Sequence, residues 1–324
     1  MPFPLRASLL AAGLALASMS AQAREFRSTD IQPGDYPTVE AVRFMGELLA
    51  ERSNGRLGVK VYPNGALGQE RDMIEQVRLG GLDMMRINSA GLNNFVPETI
   101  VPVLPYIFRS REHMHAVVDG PIGDEILGAM ERQGMVGLAF YDNGMRSIYS
   151  ATRPIRTLAD VKGLKIRVQQ SDLFVAVMQA LGANPTPMPS GEVYTGLKTG
   201  IIDAAENNIP TYDSLRHFEA ARYYNLTEHS MSPEVLVFSK RVWDTLPEGD
   251  RGLIRQAAKD SVPHMRRLWE EREVKSRRTV EAGGAEIVPI ADKQPFVDAT
   301  RPVYARFAST PELQSLVQRI QASQ

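Results

Sequence analysis

Arg167 is the side chain in this sequence whose type and position most directly suggest binding chemistry. Leu164, Ile166 and Val168 alternate with polar residues around it, and this period of two indicates a β-strand. If the three apolar side chains face a core, Arg167 points to the opposite face. A guanidinium is a rigid fork of five donors that matches a carboxylate with two parallel hydrogen bonds. Arg167 is therefore a candidate carboxylate-binding residue, and the alternative is an ordinary surface arginine.

Catalytic chemistry has no comparable signal. The Gly-x-Ser-x-Gly, His-Glu-x-x-His, Gly-x-Gly-x-x-Gly and phosphate-loop patterns do not occur, and the sequence contains no cysteine. His113 and His115 form a His-x-His pair, but no acidic or sulfur ligand lies at a spacing that would complete a metal site. We expect these two histidines to be solvated helix residues. The patterns predict a binding protein without a metal or cofactor, rather than an enzyme.

Composition sets the outer bounds. A chain of 324 residues accommodates about two domains of ordinary size. Its apolar content of 43% and charged content of 23% are those of a soluble globular protein. The 37 basic and 38 acidic residues nearly balance, and no long basic run occurs. This balance argues against a nucleic-acid partner.

Residues 1–23 predict a cleaved signal peptide. Arg6 supplies a positive start, residues 7–17 form a short apolar run, and Ala21-Gln22-Ala23 is an A-x-A cleavage signal. The apolar run is too short to span a bilayer, and no cysteine is available to carry a lipid. We therefore expect a soluble protein that is exported to the periplasm.

Alternating strands and helices determine where polar residues could converge. The pattern predicts strands ending at Asp30, over 57–61 and over 82–87, with helices over about 37–53 and 73–79. This order favours a parallel sheet with helices on both faces, and ligands bind beyond the carboxyl ends of such strands. Asp30, Glu70 and Asn88 lie just after strand ends. Each is either a pocket residue or a capping or loop residue.

Similar patterns predict the rest of the chain. They indicate an irregular crossing at 101–108, a helix over 123–133, strands over 135–141 and 234–239, a long helix over about 247–282, and a terminal strand with helices. Pro263 lies inside the long helix and should remove one backbone hydrogen bond there.

Four motifs carry a family resemblance. They are Lys162–Val168, Leu181–Met188, Glu192–Gly200 and Asp203–Asn207. In their order and spacing they resemble the solute-binding proteins of TRAP transporters, the DctP type, and the resemblance extends over nearly all of the chain after the first two dozen residues. It implies a receptor that binds a small organic acid and delivers it to membrane permease subunits. We expect the receptor to be a monomer.

The resemblance also implies an architecture. The fold class is α/β, a two-lobe periplasmic binding protein of the type II-like kind, with a hinge and a long helix that spans both lobes. The expected lobe I covers 24–143, with about 233–272 returning to it, and lobe II covers 144–232, with about 273–324 returning to it. The chain should cross between the lobes at Asn143-Gly144-Met145-Arg146.

Roles for individual residues follow from matching positions in the family. The arginine matching Arg167 grips the ligand carboxylate, and the asparagine matching Asn207 helps to hold it. Arg146 would support either that carboxylate or the fork that holds it, while Gln169 and Asn208 could reach adjacent hydroxyls. The predicted ligand-binding set is Asp30, Glu70, Asn88, Asn143, Arg146, Arg167, Gln169, Asn207 and Asn208.

Two departures from the family pattern bear on the ligand. Asn208 stands where the family usually has proline, which adds hydrogen-bonding groups, and Ser190 stands about where an aromatic residue often covers the ligand. A pocket rich in hydroxyl partners favours a hexuronate such as glucuronate or galacturonate, with a C4-dicarboxylate as the alternative. Two other classes stay open at this point: an enzyme acting on an acid, and a ligand-sensing module.

Overall fold

A computed structural model describes residues 23–323 of the chain. The predicted signal peptide, apart from its last residue, therefore lies outside the described residues. Eleven strands form two sheets. The strands are β1 Arg24–Thr29, β2 Leu57–Tyr62, β3 Met84–Asn88, β4 Met135–Tyr141, β5 Arg146–Ser150, β6 Lys165–Val168, β7 Asn184–Pro187, β8 Ala204–Asn207, β9 Tyr223–Ser230, β10 Glu234–Ser239 and β11 Glu286–Val288.

Helices cover the sheets and connect their strands. The α-helices are α1 Pro37–Arg52, α2 Glu70–Leu79, α3 Ser89–Leu92, α4 Arg111–Val118, α5 Pro121–Ala129, α6 Asp172–Ala180, α7 Val193–Thr199, α8 Ile209–Ser214, α9 Lys240–Trp243, α10 Glu248–Ala282, α11 Gln294–Phe307 and α12 Pro311–Ala322. Short 3₁₀ helices lie at Pro97–Val103, Met130–Gln133, Leu158–Val161, Ser190–Glu192 and His217–Glu219. The expected stop after α1 is confirmed, because Asn54 and Gly55 both adopt positive φ there.

Both sheets are mixed, so the prediction of a parallel sheet is wrong in part. The first has the order β2-β1-β3-β10-β4, in which β1 pairs in parallel with β2 and β3, and β10 is antiparallel to β3 and β4. The second has the order β11-β9-β5-β8-β6-β7, with β5 antiparallel to both of its neighbours. The direction of β10 and β5 is set by the chain crossing between the sheets, which strand periodicity does not reveal.

The antiparallel strands contribute their starts to the edge where the parallel strands end. Glu234, the first residue of β10, pairs with Asn88, the last residue of β3. Ser147, near the start of β5, pairs with Asn207 at the end of β8. Side chains from five or more strands therefore meet at facing sheet edges.

The two crossings between the sheets are joined to each other. The first runs through Asn143 and Gly144, and the second returns through Ser232. Gly144 has a φ of +59°, which glycine adopts without strain, and a Cβ there would displace the carboxylate of Glu273. Asn143 Nδ2 and Asn88 Nδ2 both donate to the carbonyl oxygen of Ser232, at 3.0 and 2.8 Å. This pairing holds the crossings side by side, as a hinge requires.

The long helix α10 lies against both sheets, as expected from the family resemblance. On the first side, Arg52 of α1 forms an ion pair of 2.6 Å with Asp260. On the second side, Ser276 Oγ donates to Asp213 Oδ2 of α8 at 2.6 Å. The 35-residue helix continues through Pro263 and connects the two halves of the molecule.

Apolar packing supports each half and the region between them. One core joins α1, the first sheet and α10 through Phe26, Met45 and Trp269. A second core lies under the second sheet around Tyr149 and Tyr212. The largest core is continuous from the first sheet to the second, and includes Ile87, Phe140, Ile166 and Phe174.

The expectation that His113 and His115 are solvated is wrong for His113, whereas His115 is partly exposed. His113 is buried, its Nδ1 accepts from the backbone N–H of Arg109, and its Nε2 lies 2.9 Å from the carbonyl oxygen of Ile320 in α12. His115 Nε2 lies 2.9 Å from Asp142 Oδ1. The contact of His113 with Ile320 places the last helix beside α4.

Two kinds of feature are absent from residues 23–323. No group of three or more His, Cys, Asp or Glu side chains there is arranged to hold a metal ion. Over the same residues, no helix combines the length and apolarity that crossing a bilayer needs.

Candidate functional site

A small polar cavity lies between the two sheets, and its empty space, counted together with the adjoining solvent, is about 290 Å³. Most of its lining is polar. Residues from the first sheet and its loops face residues from β5, β6, β8 and α8 of the second. The lining residues are Ile31, Gln32, Glu70, Arg86, Asn88, Asn143, Arg146, Arg167, Gln169, Ser190, Asn207, Thr211 and Glu234.

A larger groove of about 1020 Å³ adjoins the cavity on the outside, and Glu70 lines both. The groove is open to solvent and lined by residues such as Ile74, Phe95 and Asp172. We place the binding site in the inner cavity, because the buried charged and amide groups converge there.

Arg167 lies in the cavity wall without a countercharge. The residue is 2% exposed, and its Nε and Nη2 donate to the carbonyl oxygen of Met188 at 2.9 and 2.7 Å. Over residues 23–323 it has no carboxylate within ion-pair distance. Burial lowers the pKa of this guanidinium, and the attraction of Tyr149, Glu206 and Glu70 offsets that only in part. An incoming anion would therefore gain a strong and already oriented partner.

Arg146 has the opposite environment, because Glu206 neutralises it. Nε and Nη2 donate to the two Glu206 carboxylate oxygens at 2.7 Å each, and Nη2 also donates to the Glu206 carbonyl at 3.1 Å. Burial alone would raise the pKa of Glu206, but the adjacent Arg146 and a contact with His229 lower it to about 2. Burial alone would lower the pKa of Arg146, but Glu206 raises it. The pair is ionised and mutually satisfied.

Asn207 is oriented by this ion pair. Its Oδ1 accepts from Arg146 Nη1 and from the backbone N–H of Asn208, both at 2.9 Å. These two bonds fix the orientation of the amide. Asn207 lines the cavity, and its Nδ2 hydrogens have no acceptor in the described part of the chain. Arg146 thus fixes the orientation of the Asn207 amide.

Arg86 is the main cavity residue that the sequence prediction missed. It is 2% exposed and donates to Asp30 Oδ2 at 2.8 Å and to Glu234 Oε2 at 2.7 Å. Burial alone would lower the pKa of Arg86, but the two carboxylates hold this pKa well above its usual range. A charged residue inside the apolar run Met84–Ile87 was the signal that could have identified it.

Asp30 lies behind Arg86 and is not part of the cavity lining. Besides Arg86, its carboxylate accepts from Thr38 Oγ1 at 3.1 Å and from the backbone N–H of Gln32 at 2.8 Å. These donors use both of its oxygens. In this arrangement Asp30 positions Arg86.

Three predicted amides form a network that also caps helices. Asn88 lines the cavity, donates to Glu234 Oε1 at 3.0 Å and caps α3 by accepting from the Ala90 N–H. Asn143 also lines the cavity, and its Oδ1 accepts from Asn208 Nδ2 at 2.6 Å. Asn208 lies behind Asn143 and caps α8. For Asn88, the two roles left open by the sequence coexist.

Unused acceptors complete the cavity. Glu70 is the first residue of α2 and half-buried, and its carboxylate makes no hydrogen bond to any residue in 23–323. Gln169 Oε1 and Gln32 Oε1 are buried without a hydrogen-bond partner in that same range. Because buried polar atoms are normally paired, these acceptors suit a ligand with several hydroxyl groups. Gln32 was not in the predicted set.

Contacts between the sheets hold the cavity closed. Tyr36 Oη lies 2.8 Å from Thr211 Oγ1, and Gln32 Nε2 donates to the same hydroxyl at 3.3 Å. At the outer edge, the Gly191 N–H donates to Gln69 Oε1 at 3.3 Å. These contacts join the two halves of the molecule on either side of the cavity.

Comparisons with known proteins point to one family. The family model for DctP, bacterial extracellular solute-binding protein family 7, matches residues 29–310. A TRAP periplasmic solute-binding protein from a Bradyrhizobium species, solved with α/β-D-galacturonate, is 66% identical with a TM-score of 0.92, covering 93% of this chain and 100% of its own. One from Xanthobacter autotrophicus with β-D-galacturonate is 55% identical (TM-score 0.90, 92% and 100%). One from Chromohalobacter salexigens with D-glucuronate is 41% identical (TM-score 0.89, 92% and 100%).

Proposed function

Because the chain belongs to the DctP family of bacterial extracellular solute-binding proteins, the receptors of TRAP transporters, we propose that it binds a hexuronate, galacturonate or glucuronate. It is a receptor and not an enzyme. The observation that carries the ligand proposal is the buried Arg167 without a countercharge, facing a cavity with free hydroxyl partners. Three similar proteins solved with hexuronates agree with it.

The ligand carboxylate would bind at the Arg167 end of the cavity. Arg167 Nη1 has no acceptor in the described residues, so it can donate to a carboxylate while Nε keeps its bond to Met188. Asn207 Nδ2 would donate to the same group, held in place by Arg146. Glu70 and Gln32 on the other wall, and Gln169 two residues after Arg167, would accept from sugar hydroxyls.

A C4-dicarboxylate fits this cavity less well. Its second carboxylate would need a second free cation, but Arg86 is paired with Asp30 and Glu234, and Arg146 is paired with Glu206. The group left open on the far wall is Glu70, which would repel a second anion. Hydroxyl groups, in contrast, can donate to it.

The remaining parts of the proposal concern location and partners. We infer export to the periplasm, action as a monomer and delivery of the ligand to TRAP permease subunits, in agreement with the family. Sensing by a periplasmic receptor would use the same binding site but a different partner. Uronate uptake by cells with and without this gene, in the presence of the permease, separates transport from sensing.

Ligand binding should raise the melting temperature without ligand turnover. A ligand that binds only the folded state adds RT ln(1 + [L]/Kd), about 2.7 kcal/mol at a hundredfold excess over Kd. A thermal-shift screen with a panel of sugar acids measures the effect, and chromatography of the same mixtures measures the ligand that remains. Loss of uronate on incubation with pure protein would contradict a receptor role.

Uronates should also bind more tightly than succinate or malate. A C4 acid leaves buried acceptors such as Gln169 Oε1 without a partner, at a cost of roughly 1–3 kcal/mol each. Two such losses amount to a preference on the order of a hundredfold. Calorimetry with galacturonate, glucuronate, succinate and malate tests this, and succinate binding as tightly as either uronate would favour the dicarboxylate alternative.

A further inference from the structure

The charges around the cavity do not balance. Three guanidinium groups line it, and two of them, those of Arg86 and Arg146, form ion pairs with carboxylates of the protein. Four carboxylates line the cavity or stand directly behind it, so the protein groups carry one net negative charge. A bound uronate would add a second. The charged groups in this set are Arg86, Arg146, Arg167, Asp30, Glu70, Glu206 and Glu234.

Glu70 is the carboxylate in this set with no partner of its own. Asp30 and Glu234 are bound by Arg86, and Glu206 by Arg146. Glu70 has neither an ion pair nor a hydrogen bond to any residue in 23–323, and it lines the same cavity as the unpaired Arg167. In the protein alone, the nearby Arg167 and Arg86 and the N-terminal end of α2 favour its ionised form.

A ligand carboxylate bound at Arg167 weakens this stabilisation of ionised Glu70. It cancels the attraction that Arg167 exerts on Glu70 and adds a like charge in an enclosed space. Burial already raises the pKa of Glu70, against the opposing effect of Arg167 and Arg86. The pKa of Glu70 in the complex must therefore be higher still. A protonated carboxyl also gains an O–H donor, which a ligand hydroxyl or ring oxygen can accept.

We propose that Glu70 takes up a proton when the cavity closes on the ligand carboxylate, so that the protein binds its uronate together with a proton. This inference rests on the proposed function. The proton forms an O–H bond on a Glu70 oxygen and comes from the solvent through the outer groove that Glu70 also lines. The charged groups facing Glu70 from the packed elements are Arg71 and Asp172 on the groove side, and Arg86, Arg146, Arg167 and Glu234 on the cavity side.

The direction in which affinity changes with pH follows from the pKa of Glu70 being higher in the complex than in the free protein. Between the pKa of Glu70 in the free protein and its higher value in the complex, binding consumes a proton. Affinity is therefore constant below the lower pKa and falls as the pH rises through this window. The dissociation constant should increase by at most about tenfold per pH unit there.

Calorimetry of galacturonate binding to the wild-type protein tests the uptake directly. Titrations near pH 6 in two buffers of different ionisation enthalpy give the number of protons exchanged, and we expect net uptake of up to about one. Infrared difference spectra should show a protonated carboxyl band on binding. Tight binding with no proton exchange, no such band and a flat affinity from about pH 5 to 8 would overturn the inference while leaving the proposed function intact. Failure of every uronate to bind would remove both.

Glu70→Gln assigns the proton to its residue, because an amide of the same shape does not titrate. We expect this variant to bind without proton uptake and without the pH slope. Glu75→Gln is the matched control on the same helix, since Glu75 is exposed and pairs with Arg78 at 3.0 Å; it should keep the wild-type uptake. Uptake that persists in Glu70→Gln would place the proton elsewhere, for example on His229, whose Nε2 lies 3.4 Å from Glu206, and would overturn the assignment.

Discussion

Replacing Glu206 by alanine is expected to lower the free energy of unfolding of the ligand-free protein by about 3–5 kcal/mol. Glu206 and Arg146 have side-chain exposures of 0% and 1%, and the substitution leaves the Arg146 guanidinium buried without its countercharge. The loss therefore exceeds what the ion pair itself contributes. Urea denaturation of wild type and Glu206→Ala without ligand measures it as a shift of the midpoint.

Two comparisons isolate the cause. Glu281 forms an ion pair with Arg277 on the exposed side of α10 at 3.2 Å, and Glu281→Ala should cost at most about 1 kcal/mol. Replacing both members of the buried pair, as in Arg146→Met with Glu206→Leu, removes the stranded charge and should destabilise less than Glu206→Ala alone. Equal stability losses for Glu206→Ala and Glu281→Ala would show that the buried pair is not a structural element.

The same pair makes stability depend on acid. The pKa of Glu206 falls from 4.5 to about 2 on folding, so its contribution is fully present above pH 4.5. It is lost as the pH falls from there toward the folded value, because the unfolded chain binds the proton more readily. Glu206→Gln should lack this component of the acid transition.

Periodicity in the sequence predicted most elements, because local patterns determine them. The strands β4 and β10 have the predicted bounds, and α1 and α10 end within a residue or two of theirs. Strand direction was not accessible in this way, since the antiparallel placement of β10 between β3 and β4 depends on where the chain returns from the second sheet.

Site residues were predictable as positions but not as roles. Strand ends indicated Asp30 and Asn88 as candidates, yet which side chain lines the cavity depends on partners far away in sequence. Asp30 is turned toward Arg86. Arg86 itself was missed because the apolar pattern that predicts the strand gives no role to a single arginine within it. Arg146 is neutralised by Glu206, sixty positions along the chain, whereas Arg167 has no carboxylate partner in the described residues.

This difference between the two arginines leads to the last prediction. Arg167→Ala is expected to weaken uronate binding by roughly thirty- to several-thousandfold, corresponding to about 2–5 kcal/mol. The alanine leaves the ligand carboxylate enclosed in the cavity without its cation. Unlike Arg146, Arg167 has no carboxylate partner in the described structure that would be stranded. The ligand-free variant should therefore remain folded.

Lysine at this position should not restore the site. The Arg167 guanidinium donates to Met188 through Nε and Nη2 and still presents Nη1, so one side chain both anchors itself and binds. An ammonium keeps the charge but has no fork that could do both. Affinity for galacturonate and glucuronate is measured by calorimetry for wild type, Arg167→Ala and Arg167→Lys, with melting temperatures of the ligand-free proteins.

Lys165→Ala is the matched control, because Lys165 is a cation on the same strand two residues earlier. Its side chain is 46% exposed and lies 3.8 Å from Asp203, outside the cavity lining. Removing it should leave uronate affinity unchanged. Near-wild-type affinity in Arg167→Ala, or an equal loss in Lys165→Ala, would contradict the assignment of the carboxylate to Arg167. Unfolding of ligand-free Arg167→Ala would instead mean that its bond to Met188 holds β6 in place and that Arg167 is a structural residue.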